Sequence, residues 1–249
     1  MEPQDAARRT AGAIVGMGGA FMQDGATYAR GAELGYAGLD FYVCGRGGLL
    51  GDTHADVVAA AFLFWNPEQV ASAWAQGRDV QPPGEAAAEW VRLCAAYGEV
   101  HVPDLEGLER HNELLGRVVA HASPSGAPLF AGWRAQDAPG PDRPRARAQY
   151  LLNAVRELRG GLHGGAVLAT GLTGREACAH RAPEMAPVFG WDDASLPEPD
   201  AVAERWRGAE EATNVAFGVA LGVLDEGELD ELVGLVNAVH DGWNAAKEA

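Results

Sequence analysis

Apolar residues recur at three- and four-residue intervals along nearly the whole chain, and no stretch alternates as a half-buried strand would. The pattern predicts an all-α, multi-helix globular protein. Residues 5–20 are small and apolar. Asp52 or Thr53 is placed to cap a helix through Val57, Val58, Ala61, Phe62 and Trp65. Asn66-Pro67-Glu68 then restarts the chain with a favoured cap, a proline at the first helical position and an acid in the first turn. That helix carries Val70 and Trp74 and ends near Gly77. After Pro82-Pro83-Gly84, a helix over Glu85–Tyr97 turns Trp90, Val91 and Cys94 to one side. Asp104 is expected to cap the next, with Leu105, Leu108, Leu115 and Val119 on its apolar face.

Residues 122–146 break the pattern with repeated prolines, which exclude a continuous helix. Phe130 and Trp133 are expected to anchor this stretch. The chain therefore reads as a single unit, 1–249, of two helical halves, 1–121 and 147–249, joined by a Pro-rich connector. In the second half, Ala148–Gly160 bears the stripe Leu151, Val155 and Leu158. Thr173-Gly174-Arg175-Glu176 spells a capping box for a helix through Cys178 and His180. Asp200 is expected to cap a helix reaching about Leu224, and a final helix presents Leu229, Leu232, Val236, Val239 and Trp243. That last face is expected to associate, as a homodimer or with a related subunit.

Charge changes the picture most. Nineteen Lys and Arg stand against 35 Asp and Glu, a net charge of −16, and Lys247 is the single lysine. Such a surface repels phosphate backbones, so no nucleic-acid partner is expected. No apolar run is long enough for a membrane span and no signal-peptide pattern opens the chain, so no membrane partner is expected. Three widely spaced cysteines, Cys44, Cys94 and Cys178, suit a reducing cytoplasm.

Familiar catalytic signatures are absent: there is no G-x-S-x-G elbow, C-x-x-C, H-E-x-x-H or Walker loop. Gly16-Met17-Gly18-Gly19-Ala20 lacks the spacing of a dinucleotide fingerprint and is read as close helix packing. Asp52-Thr53-His54-Ala55-Asp56 is read as helix-start chemistry, so no metal and no cofactor are expected. The richest candidate is Arg156, Arg159 and His163, which share one face of a helix beside the core stripe. Two guanidiniums there could receive an anion and the histidine could carry a proton, or the arginines could bond Glu157, Glu204 or backbone carbonyls to lock helices together. Arg46 lies in the glycine-rich stretch Gly45-Arg46-Gly47-Gly48, read as a turn, with Tyr42, Asn66, Trp65 and Trp133 as its expected companions.

Two stretches also carry a resemblance. Phe41-Tyr42-Val43-Cys44-Gly45-Arg46-Gly47-Gly48-Leu49-Leu50-Gly51, followed by Phe62-Leu63-Phe64-Trp65-Asn66-Pro67, and the box Arg156-Glu157-Leu158-Arg159-Gly160-Gly161-Leu162-His163 resemble a helix-turn-helix family of actinobacterial proteins. Its members pair YFAGRAAPLG-like and FxNFNP-like segments with a REHRGDGH-like box. The likeness spans roughly residues 8–195 and includes Gly190-Trp191. Leu158 and Gly161 replace the box's central His and its Asp, Ile14-Val15-Gly16-Met17 stands where relatives carry an EPxH-like segment, and the last fifty residues do not read like the family's winged-helix end.

The resemblance implies a ligand-anchoring or structural role for Arg46. With the charge, it leads to an expected subunit of a small-molecule enzyme in actinobacterial specialised metabolism. In that reading Arg46, Arg156, Arg159, Tyr42, Asn66 and Trp133 bind an anionic substrate, and catalytic His163 assists elimination or ring closure, aziridine formation being one example. The alternatives are a non-catalytic partner of a homologous active subunit and a helix-turn-helix transcription regulator.

Overall fold

A computed structural model describes residues 1–192 and 196–248, and the fold is all-helical with no strand among the described residues. The α-helices are α1 (Pro3–Gly18), α2 (Gly25–Leu34), α3 (Asp40–Gly47), α4 (Ala55–Ala60), α5 (Pro67–Arg78) and α6 (Pro83–His101). They continue as α7 (Leu108–His121), α8 (Pro128–Arg134), α9 (Pro144–Ala169), α10 (Gly174–Arg181), α11 (Ala203–Leu221) and α12 (Glu226–Glu248).

The 26-residue α9 is the axis of the molecule, packing against α1, α6, α7, α8 and α11. Its buried Leu151, Leu152, Val155 and Leu158 join one core with Phe21, Phe41, Trp90, Trp133 and Phe217. A smaller second core gathers Val167, Leu172, Ala177, Val202, Trp206 and Ala209 where α9, α10 and α11 meet. Helices α1 and α12 lie side by side and parallel. The Met1 ammonium sits 3.4 Å from Glu226 O at the start of α12, and Gly16 faces the His240 ring.

Several local expectations change. The cap of α4 is His54, whose Nδ1 accepts from Asp56 N (3.3 Å), and the helix stops at Ala60, before the aromatic run Phe62–Trp65. Helix α7 starts at Leu108 behind Gly107, whose φ of 90° is left-handed, so Asp104 lies outside it. The connector 122–146 holds its own helix, α8, with Pro128 in its first turn. A 3-10 turn at Pro199–Ala201 precedes α11, so Asp200 does not cap the long helix.

Gly45-Arg46-Gly47-Gly48 is not a turn: Gly45, Arg46 and Gly47 end α3. The glycines there serve close approach, since a Cβ on Gly45 would come within 2.9 Å of the Trp90 ring. The final helix does not offer its apolar face outward. Leu229, Leu232, Val236, Val239 and Trp243 are buried within this chain, and the Trp243 Nε1–H donates to Tyr97 OH (2.9 Å).

Candidate functional site

A cavity of about 590 Å³ opens between α1, α3, α9 and the 60–65 segment. Its polar centre is Glu157, 2% exposed. Arg46, in the last turn of α3, donates from Nε to Glu157 Oε1 (2.9 Å) and from Nη2 to Oε2 (2.7 Å), a two-pronged pair. Arg156 Nη1 adds a third bond to Oε1 (2.9 Å). Arg46 also donates to Tyr42 OH (3.3 Å) and lies 4.7 Å over the Phe62 ring. Burial alone would push the Glu157 pKa up, but Arg46 and Arg156 outweigh it and hold the carboxyl below its ordinary value.

One turn along, Arg159 Nη2 donates to Glu210 Oε2 (2.7 Å) and Asn214 Oδ1 (3.4 Å). The Thr213 hydroxyl donates to Ala209 O (2.7 Å), so at 2.9 Å it must accept from His163 Nδ1–H. That fixes the tautomer: Nε2 carries the lone pair, 3.8 Å from Glu210 Oε1. Burial lowers the His163 pKa, partly offset by Glu210, and the neutral ring results at pH 7.

Tyr42, Arg46, Arg156, Arg159 and His163 therefore all reach one cavity wall, together with Trp65. Two other sequence candidates stand elsewhere. Trp133 is sealed in the core, donating from Nε1 to Tyr150 O (3.1 Å), because its ring packs between Phe21 and Tyr150. Asn66 caps α5 through Oδ1 and donates from Nδ2 to Gly190 O (2.9 Å). It thereby places Phe189 on the wall, while Trp191 Nε1 donates to Phe64 O (2.7 Å).

Sequence reasoning missed Glu210, Phe64, Phe189 and Trp206, all on the wall. Glu210 lies 51 residues from Arg159, beyond any local spacing rule. The partner expected instead, Glu204, lies on the exposed side of α11. No group of three or more His, Cys, Asp and Glu that could hold a metal occurs among the described residues.

The same helix leads to a second feature. Helix α9 ends in a Schellman motif: Leu172 N bonds Val167 O (3.2 Å), Gly171 N bonds Leu168 O (3.0 Å), and Gly171 has a left-handed φ of 75°. Two residues later Thr173 opens α10 with the capping box foreseen in the sequence, its side chain and that of Glu176 exchanging bonds with each other's backbone. The joint is thus four residues, 170–173, between two helices. Leu172 and Ala177 fasten it to the second core, and Arg205 clamps it from α11 by bonding Gly171 O and Glu176 Oε1, each at 2.9 Å. Exposed Thr173 and Arg181 mark the two ends of α10, with Arg175 and His180 partly exposed between them.

Comparison with curated proteins and with solved structures found no match. A family model described as a helix-turn-helix family matches residues 7–199. This match overturns two expectations drawn from the sequence: a small-molecule enzyme subunit acting on an anionic intermediate, and the exclusion of nucleic acid. The geometry agrees on the first point, since each arginine meant for an anionic substrate already faces Glu157 or Glu210. The expected dimer also loses its basis, because the face meant for it is internal. Both motif-bearing stretches and the α9–α10 joint lie inside the matched span, which covers most of the chain: this chain belongs to the helix-turn-helix family.

Proposed function

We propose that this protein is a transcription regulator that binds double-stranded DNA through the α9–α10 joint. The observation that carries the reading is that joint. It is a four-residue, glycine-containing link between two helices, inside the segment matched by the helix-turn-helix family, and such a link is the framework on which a second helix enters the major groove. In this reading α10 is the recognition helix. The capping box of Thr173 and Glu176 fixes where α10 starts, and exposed Arg181 at its far end supplies side-chain donors.

A net charge of −16 makes the chain as a whole a poor ligand for a polyanion. Binding must then be local, rest on few phosphate contacts, and favour specific over general DNA. The test is fluorescence anisotropy with DNA from upstream of the protein's own coding region, between about 50 and 200 mM salt. Binding that weakens as salt rises is expected, and Arg181→Ala should lose about tenfold, in the range of one lost specific contact, without a change in melting temperature. Absence of binding at the lowest salt, to this DNA and to a random-sequence pool, would overturn the reading.

A further inference from the structure

We propose that the 590 Å³ cavity is a receptor for a flat, uncharged aromatic molecule that carries a carbonyl oxygen. The size lies within the roughly 300–1,000 Å³ usual for small-molecule sites. Two aromatic walls face it. Tyr42 and Trp65 stack at 5.2 Å and 19°, with Phe189 4.9 Å beyond Trp65. Phe64 stacks on the His163 ring at 6.1 Å and leans on Trp206. Such surfaces favour another ring over an aliphatic chain.

The space between them is kept open by glycine. A Cβ added at Gly12 of α1, or at Gly160 or Gly165 of α9, would meet nothing within 4 Å, and one at Gly164 would touch only Leu63 at 3.8 Å. No neighbour demands glycine at these helical positions, yet all of them line the cavity. Arg159 supplies the polar end. It is buried, its Nη2 is held by Glu210 and Asn214, and its Nε–H has no partner. That atom is closed off from the cavity as the side chain stands, so a carbonyl oxygen accepts its hydrogen on a small turn of the guanidinium, which removes the penalty of a buried unpaired donor. Because Glu157 and Glu210 already answer the three arginines, an acid would have to compete with two resident carboxylates, whereas a neutral ligand does not. The inference does not rest on the DNA-binding reading, and its test contains no DNA.

The experiment is isothermal titration calorimetry of the full chain with 2-naphthamide, 2-acetylnaphthalene and 9-fluorenone, with 2-naphthoate as the charged comparison. At least one neutral probe should bind with one-to-one stoichiometry. Gly160→Leu and Gly164→Leu should each lose about tenfold or more in affinity while melting at or above the wild-type temperature, since leucine is the better helix former. Arg159→Lys keeps the charge opposite Glu210 but has no Nε–H, and should weaken every carbonyl probe. If one leucine variant fails to fold, the other and Arg159→Lys decide. Silence from all neutral probes at their solubility limits would overturn the proposal, as would leucine variants that bind like wild type, or naphthoate binding more tightly than naphthamide.

Discussion

Arg46 and Glu157 stand 111 residues apart in sequence and share two hydrogen bonds, both side chains largely buried at the cavity wall. Removing one partner of such a pair strands the other, which costs about 3–5 kcal/mol. Glu157→Gln should therefore lose about that much in urea unfolding, and a paired Arg46→Leu, Glu157→Leu variant should recover part of it. His111 offers a second residue-scale test. Burial drives its pKa from 6.5 down to about 4, so the folded state binds fewer protons than the unfolded one. Its contribution is complete above pH 6.5 and drains as the pH falls toward 4, by about 3 kcal/mol. Melting temperature should fall over that window, and His111→Gln should flatten the slope. A histidine in an apolar stripe is visible in sequence, but its burial is not. Arg46 stands out in its glycine-rich stretch and Glu157 in its box, but nothing in the spacing joins the two: the pair is made by folding.

Helix α9 shows how far periodicity reaches at the scale of an element. Its apolar stripe is legible over Ala148–Gly160 and the shared face of Arg156, Arg159 and His163 carries it further, but nothing among Gly160, Gly161, Gly164 and Gly165 shows where it ends. Tertiary contact carries the helix through them to Ala169, against about 1 kcal/mol for each glycine relative to alanine. The four are not equivalent. A Cβ at Gly161 would lie 2.6 Å from Ala127 Cα, so Gly161→Ala should destabilise by about 1–3 kcal/mol. Gly165 has open space, so Gly165→Ala should stabilise by about 0.5–1 kcal/mol. Equal effects in chemical denaturation would contradict that distinction. The α9–α10 joint is half legible: the capping box at Thr173 announces a start, but after so many helical glycines nothing marks Gly171 as the matching stop.

For the whole molecule, helical class could be read from the chain because every strong pattern had one period. The arrangement could not, because it depends on which apolar faces choose each other. Helix α12 is the clearest case, a face that looked ready for a partner and in fact closes over α1 and α7. Deleting the chain from residue 225 onward should expose the faces of α1 and α7 that α12 covers and abolish cooperative melting, detectable as dye binding and loss of near-ultraviolet dichroism. A soluble, sharply melting fragment would show that α12 is dispensable. The parallel course of α1 and α12 also sets a ruler. With Met1 held at the start of α12, Met1 and the far end of that 23-residue helix stand about 35 Å apart. A donor and acceptor dye attached at Met1 and Lys247 would sit within the sensitive span of energy transfer, so a single-molecule recording could follow the departure of one helix from the other without touching the cavity or α10.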